Sequence, residues 1–264
     1  MSDVLADAEA LIDQVQVPDE IRRASLEHLS GWLRLPRYAA YRPQIEALIE
    51  AGRGEELVDA FRQVLPFGTG GRRGRVGVGP NRLNPHTVAT SVQGHVRWLR
   101  QRFGGGAVRV VLAYDVRRFD DVGGLYDAAR PSPIHGLSSR DLAELAARIY
   151  AAGGIEAHIL ARGGGWLSTP ELSFTIRALG AQGGLNVSAS HNPPDDNGVK
   201  VYEERGAQLV PPDDEALLNL VAEVVEVDLI DWDEAVTQGR IQFLEPTIRR
   251  AYLDTVAGVA GAAG

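Results

Sequence analysis

The sequence predicts an α/β protein: a mixed, mainly parallel sheet flanked by helices, with a helical extension ahead of it. Three observations carry that prediction. Apolar, β-branched runs of strand length stand at residues 108–114 (VRVVLAY), 155–160 and 185–188. Helical patterns separate them, and strands alternating with helices imply crossover connections and parallel neighbours. The thirty glycines in 264 residues cluster at the ends of these segments, where the chain must turn or approach something closely.

Residues 3–64 read as helical, because Val4, Leu5, Ala8, Leu11 and Ile12, then Ile21, Leu26, Leu29 and Leu33, recur at helical spacing. Pro18 with Asp19 and Glu20 marks a helix start, with acids near its positive end. A third helix over 44–51 is closed by Gly52, and a fourth spans 55–65. The run 67–85, FGTGGRRGRVGVGPNRLNP, reads as a loop carrying Arg72, Arg73, Arg75 and Arg82. A helix follows from His86 to about Phe103, and the first strand, 108–114, ends at Asp115. Ser138 with Asp141 has the form of a capping box opening a helix that stops before Gly153 and Gly154. Pro170 suits the first turn of another helix, which ends before Gly180. The strand at 185–188 leads into SHNPPDDNG, and 199–203 forms a further strand. From Pro211 the chain is expected to be helical, with an extended piece near 241–244 and a frayed tail from Ala257. This divides the chain into a helical extension (1–64), an α/β unit (65–215) and a helical linker (216–264).

Composition narrows the function classes. The net charge of −8 argues against sequence-independent nucleic-acid binding, which depends on Lys and Arg neutralising phosphates. It does not argue against a small anionic substrate, which needs only a local positive pocket. No cysteine is present, so thiolate metal sites, disulfides and cysteine nucleophiles are excluded. The acidic, amphipathic start lacks the form of a signal peptide, and no apolar run has membrane-spanning length, so a cytoplasmic location is expected. His86, His95 and His158 lack ligand spacing and read as structural.

The segment SASHNPPDDNGVKVY, residues 188–202, is the sharpest feature. A serine directly after a buried strand, followed by His, Asn and two prolines, sits at a rigid turn, because Pro193 and Pro194 fix φ and restrict the residues before them. Such a turn can offer a hydroxyl to a ligand while backbone N–H groups cradle an anion. Asn197-Gly198 reads as a tight turn returning the chain to a strand that carries Lys200. On the residues alone, an ordinary polar loop remains an equal alternative. For the arginines of 72–82 the alternative is a solvated basic patch.

This segment closely resembles the phosphoserine loop of the α-D-phosphohexomutases, the phosphoglucomutase/phosphomannomutase superfamily, written T-A-S-H-N-P with an N-G-x-K continuation. Ser188 stands in place of the first threonine. FGTGGRRG resembles F-G-T-[SA]-G-x-R-G, with Gly70 departing from Ser or Ala. YDVR (114–117) is similar to G-x-D-x-R, and STPELSF (168–174) to P-T-P-x-x-S-F. YRPQIEALIEAG ahead of FGT resembles the phosphoglucomutase/phosphopentomutase branch. The resemblance runs over about residues 30–255 in the family's order.

The resemblance implies a fold, the family's first domain, and a reaction. A phosphoserine at Ser190 gives its phosphate to a hexose monophosphate; the bisphosphate reorients and returns its other phosphate, interconverting the 1- and 6-phosphates. It implies that Arg73 faces the phosphoserine, that His191 and Asn192 belong to the loop, and that Lys200 is the active-site lysine. Thr69 and Gly71 are implied in phosphate binding. Phosphoryl transfer needs positioning and charge neutralisation above all, which fits this set. Mg2+ is implied as cofactor, with Ser190 as one ligand through its phosphate, and glucose 1,6-bisphosphate as activator. The family's D-G-D-G-D metal loop has no counterpart: Asp228, Asp231 and Asp233 lie in DLIDWDEA without the glycines. Domains II–IV of the mutase, in cis or in trans, are therefore the expected partners, and a phosphosugar the expected small-molecule partner, glucose 1-phosphate by preference. The 264 residues alone are expected to be inactive as a mutase. A non-catalytic domain binding phosphosugar or protein, and one chain of a split mutase, are the other readings. Neither nucleic acid nor membrane is an expected partner.

Overall fold

The computed structural model describes residues 2–68 and 70–261. Among the described residues, six strands form one sheet in the order β1-β5-β4-β2-β3-β6. These are β1 (Gly71–Arg75), β2 (Arg109–Tyr114), β3 (Glu156–Ile159), β4 (Gly183–Val187), β5 (Asp196–Glu203) and β6 (Ile241–Phe243). The pairs β2–β3, β2–β4 and β3–β6 are parallel; β1–β5 and β4–β5 are antiparallel. The sheet is thus mixed, with the parallel part at its centre.

The middle strands carry apolar runs because both their faces are covered. Val110, Val111, Leu112 and Ala113 are all buried, and removing each larger side chain from water is worth about 1.5–3 kcal/mol. Alternate residues face opposite helix layers. A Cβ at Gly183 would meet His95 and Leu99 of α5 (Pro85–Phe103), whereas one at Gly184 would meet Ile176 of α7 (Thr169–Leu179) at 2.7 Å. Helix α6 (Ser139–Ala152) lies beside α5, joined by the His95 Nδ1–Tyr150 hydroxyl contact at 2.6 Å.

Helix ends follow the sequence. Ser138 and Asp141 form the capping box of α6, with Asp141 N–H donating to Ser138 Oγ at 3.1 Å and Ser138 N–H to Asp141 Oδ2 at 2.9 Å. Gly180 closes α7 at φ 59°, a left-handed position glycine reaches at no steric cost.

Helices α1 (Ser2–Asp13), α2 (Asp19–Arg34), α3 (Arg42–Glu50) and α4 (Gly54–Phe61), with a 3-10 turn at Pro36–Tyr41, make the N-terminal layer. Their apolar stripes converge on a core of their own around Leu29, Trp32, Ile45 and Phe61. That core also takes in Val76, Val78, Phe119, Tyr126 and Ile134, so the layer is cemented to the loops beside the sheet. Arg82, almost fully buried, donates to Glu56 Oε1 at 2.6 Å and Asp59 Oδ2 at 2.7 Å and ties the same junction by charge.

Three expectations are corrected. The run 67–85 is not all loop: its Gly71–Arg75 segment is an edge strand, which its glycines and arginines disguised. Asn197-Gly198 is not a turn but the start of β5, paired with Gly74 and Arg73. The tail is helical through Gly261, the end of α10 (Pro246–Gly261), rather than frayed from Ala257. Past β5 come α8 (Asp213–Ala222), α9 (Trp232–Thr237) and β6, which adds an edge strand to the sheet beside β3.

Candidate active site

The carboxyl ends of β2 and β4 lie side by side, because these strands are parallel neighbours in register from Val110/Gly183 to Tyr114/Val187. Two loops leave there, and such strand ends are where open α/β sheets place ligands. One loop, 188–195, carries Ser190. The other begins Asp115-Val116-Arg117.

Ser190 is exposed and has φ 57°, left-handed backbone that a non-glycine residue adopts at a cost of about 1 kcal/mol or more. The conformation is held from two sides. Ser190 N–H donates to Ser188 Oγ at 3.0 Å, and the Ser190 carbonyl accepts from Arg117 Nη2 at 3.0 Å. Arg117 does more than this. Its Nη2 also donates to the Asn192 carbonyl at 2.7 Å, and its Nη1 to the carbonyls of Pro193 at 2.6 Å and Asp196 at 3.1 Å. One guanidinium thus fills the concave side of the loop with its fork of donors. The two prolines cannot donate, so the loop presents mainly carbonyls inward, and a cation is the group that satisfies them.

Arg117 is itself positioned by Asp115. The carboxylate pairs with Arg117 Nε at 3.4 Å, accepts the Arg117 N–H at 3.0 Å and takes Ser139 Oγ–H at 2.6 Å. Buried Asn197 donates to Ser139 Oγ at 2.9 Å, and its own Oδ1 takes the N–H of Gly198 at 2.8 Å. The network therefore links the end of β2, the first turn of α6 and the start of β5 beneath Ser190. The sequence marks YDVR as a motif but gives Arg117 no task. The available signal is a D-x-R at the carboxyl end of a buried strand.

The other expected site residues fall as follows. His191 is exposed, with Nδ1 3.3 Å from Ser190 Oγ. Asn192 is half-buried and faces its own loop, donating Nδ2–H to Asp196 Oδ2 at 2.7 Å. Arg73 is exposed on β1 opposite Gly198, whose carbonyl takes Ser188 N–H at 2.9 Å, so it emerges beside the base of the loop. Lys200, half-buried, sits across from Gly71 and Asn186 on the same sheet face as Arg73, since Arg73 pairs with Gly198, two positions before Lys200 on β5. Its Nζ donates to Gln208 Oε1 at 3.2 Å. Gly71 N–H donates to the Gly68 carbonyl at 3.1 Å, and a Cβ at Gly71 would come 2.1 Å from the Val199 carbonyl, so close packing on β5 demands glycine. Gly70 has φ 60° and a Cβ there would lie 2.5 Å from the Leu209 carbonyl, which accounts for glycine in place of Ser or Ala. Thr69 lies outside the described residues.

The arginines of 72–82 are not a solvated patch: Arg72 and Arg82 are buried, and only Arg73 and Arg75 are exposed. His95 and His158 are buried in the fold, and His158 Nε2 contacts Glu156 Oε1 at 2.6 Å. No group of three or more His, Asp or Glu side chains is placed to hold a metal ion among the described residues. A magnesium ion needs several oxygen ligands, so these residues by themselves do not fit one.

Residues 64–121 and 136–227, more than half of the chain, match the family described as phosphoglucomutase/phosphomannomutase, alpha/beta/alpha domain I. The chain belongs to this family. It is 32% identical over 211 residues to the phosphopentomutase of Homo sapiens, covering 80% of this chain and 32% of that protein. It is 30% identical over 220 residues to the phosphoglucomutase of Staphylococcus saprophyticus, covering 82% of this chain and 36% of that one. A solved structure described as a phosphomannomutase from Thermus thermophilus superposes with a TM-score of 0.55 at 25% identity, over 74% of this chain and 36% of that chain. The chain thus spans about a third of the length of the relatives it matches. Both matched stretches contain the site: Arg73 and Arg117 lie in the first, Ser139, Ser190 and Lys200 in the second. Among the described residues no helix is long and apolar enough to cross a membrane.

Proposed function

We propose that Ser190 is the phosphoryl carrier of a phosphosugar mutase that interconverts hexose 1- and 6-phosphates through a bisphosphate. The observation that carries this reading is the Ser190 turn: an exposed hydroxyl at a left-handed residue, fixed from beneath by Arg117. A carrier needs that combination of reach and rigidity, because in-line transfer depends on position more than on bond-making by the protein.

In the forward step the phosphoserine Oγ–P bond breaks and a bond forms between phosphorus and a sugar hydroxyl oxygen. That hydroxyl gives up its proton, and Ser190 Oγ regains one when the phosphate has left. Arg73 and Lys200, on one sheet face beside the loop, neutralise the phosphate oxygens, and Arg73 does so with a two-pronged fork. Lys200 acts either as this clamp or as the acid/base. His191, within 3.3 Å of the hydroxyl, orients it. Asn192 shapes the loop, and Thr69 and Gly71 complete the phosphate pocket.

Mg2+ would take one oxygen of phosphorylated Ser190 and neutralise charge on the phosphate, with its remaining ligands supplied by domain II. Domains II–IV, in cis or in trans, complete the cleft; glucose 1,6-bisphosphate primes Ser190; the protein works in the cytoplasm. Glucose 1-phosphate is the preferred substrate.

The test is direct. The protein is incubated with radiolabelled glucose 1,6-bisphosphate and its peptides are analysed by mass spectrometry. One phosphate is expected on the peptide containing Ser190 and none in Ser190→Ala. Label on another residue, or equal labelling of Ser190→Ala, overturns the assignment.

A further inference from the structure

Arg72 and Arg73 are neighbours on β1, so the two-residue period sends them to opposite faces. Arg73 is exposed beside the Ser190 loop. Arg72 is only 6% exposed and lines a cavity of about 620 Å³ between the N-terminal helices and α5. Its surroundings do not account for its charge. Nη1 donates to the Thr87 carbonyl at 3.2 Å, the guanidinium lies 5.8 Å from the Phe67 ring, and Nε has no hydrogen-bond partner. No carboxylate pairs with it among the described residues, in contrast to Arg82 ten positions on. A buried charge without a counter-charge is costly, and chains usually keep one only where something else completes it.

A second cation reaches the same cavity. Arg37 lines it from the 3-10 turn, and His86 from the first turn of α5, whose leading amides are already taken by Tyr41 and the Asn84 cap. Burial first, then the charges of Arg37 and Arg72, push His86 down to about 4 and keep it neutral. Glu27 is the single carboxylate of the lining, and it is exposed. This stands out in a chain of net charge −8. The lining also holds aromatic rings: Trp32 and Tyr38 stack at 4.3 Å, and Phe67 lies 5.8 Å from the Arg72 guanidinium.

We propose that this cavity is a second ligand site, separate from the Ser190 face, for an organic oxyanion, a phosphate or carboxylate on an aromatic or apolar body. The anion completes Arg72 and reaches Arg37, while its body packs on the rings. The proposal does not depend on the phosphoryl-carrier reading, because neither Ser190 nor its clamp takes part.

The test is calorimetric titration of the protein with phenyl phosphate, phenylacetate and inorganic phosphate. Saturable binding of at least one aromatic anion is expected, roughly tenfold tighter than inorganic phosphate because of the ring contacts. The tighter of the two aromatic anions identifies the acidic group. Arg72→Met should weaken it by roughly tenfold or more, and Arg73→Met should leave it within roughly twofold. Arg37→Gln, at an exposed position that does not threaten folding, should weaken it roughly threefold and serves if Arg72→Met fails to fold. Binding should also raise the His86 pKa seen by NMR. No saturable binding of either aromatic probe, or binding abolished by Arg73→Met and untouched by both Arg72→Met and Arg37→Gln, overturns the site.

Discussion

Arg82 and Arg117 are both arginines that reach from one segment under another, yet they are satisfied in opposite ways. Arg82 sits at the seam between the helical layer and the sheet loops and is neutralised by two carboxylates, Glu56 and Asp59. Arg117 sits under the Ser190 loop, where most of its donors go to backbone carbonyls and Asp115 steers it from behind. The difference separates architecture from function. An ion pair fixes which segments meet and is indifferent to their fine geometry. A fan of carbonyl contacts fixes the curvature of one loop, and with it the direction of the Ser190 hydroxyl.

The largest expected effect follows from breaking the second of these. Arg117→Met should lower phosphate uptake by Ser190 by two to three orders of magnitude, roughly 3–4 kcal/mol, because a mispositioned carrier loses its alignment. Its thermal midpoint should fall by only a few degrees, since the exposed loop carbonyls pass to water. Amide exchange over 188–196 should speed up while that of β2 stays slow. Uptake reduced less than about threefold would show that the loop holds its shape without the arginine.

Arg82→Met is the converse. It leaves the largely buried Glu56 with Arg75, at 3.2 Å, as its remaining partner, so a loss of about 2 kcal/mol is expected in urea unfolding. Below the melting temperature, Ser190 should still take phosphate at close to the normal rate. A matching loss of uptake would erase the division between the two regions.

Acid unfolding separates the Arg82 seam from the sheet core by pH window. Burial pushes His95 down from 6.5 to about 3, so the folded state keeps it neutral while the unfolded chain takes a proton. Stability is therefore full above about 6.5 and falls as pH drops, by about 3 kcal/mol at pH 4. Burial raises the Asp59 carboxyl, but Arg82 and Arg62 outweigh it and hold the group below its usual 3.8. The contribution of that pair is present above 3.8 and lost below it. Wild type and Arg82→Met should thus lose stability in parallel from pH 6.5 to 4.5 and converge only at lower pH. Convergence already at pH 5 would remove Asp59 as the partner that matters.

Much of this was legible in the sequence, and the exceptions have physical causes. Strands β2, β3 and β4 declared themselves because burial on both faces makes them mainly apolar, and the capping pair Ser138/Asp141 announced α6. Strand β1 did not, because Gly71 and Gly74 are there for close approach to β5 and Leu65, and its arginines split between a cavity and the surface. Asn197-Gly198 misled for a related reason: the pair has turn chemistry, yet Asn197 spends its side chain on Ser139 and Gly198 is squeezed between Ser188 and Arg72. Ser190, His191 and Lys200 are the candidates that the motif proposes. Arg117 as the clamp could not be picked out that way, since its partners are carbonyls that any sequence carries.

The smallest expected effect probes the Ser190 backbone itself. Ser190→Ala and Ser190→Gly both remove the hydroxyl, so neither takes up phosphate, and they differ only in what the left-handed φ of 57° costs. Glycine reaches that region freely, whereas alanine carries the same Cβ penalty as serine. Its greater freedom in the unfolded chain works against it, which trims the advantage. The glycine variant should be the more stable by about 0.5 kcal/mol in urea, with equal slopes of the unfolding curves. If Arg117 is what pins the loop in this conformation, the same pair of substitutions made in Arg117→Met should show no difference, because an unpinned loop relaxes to negative φ. A difference that survives removal of Arg117 would assign the strain to the prolines and the strand ends instead.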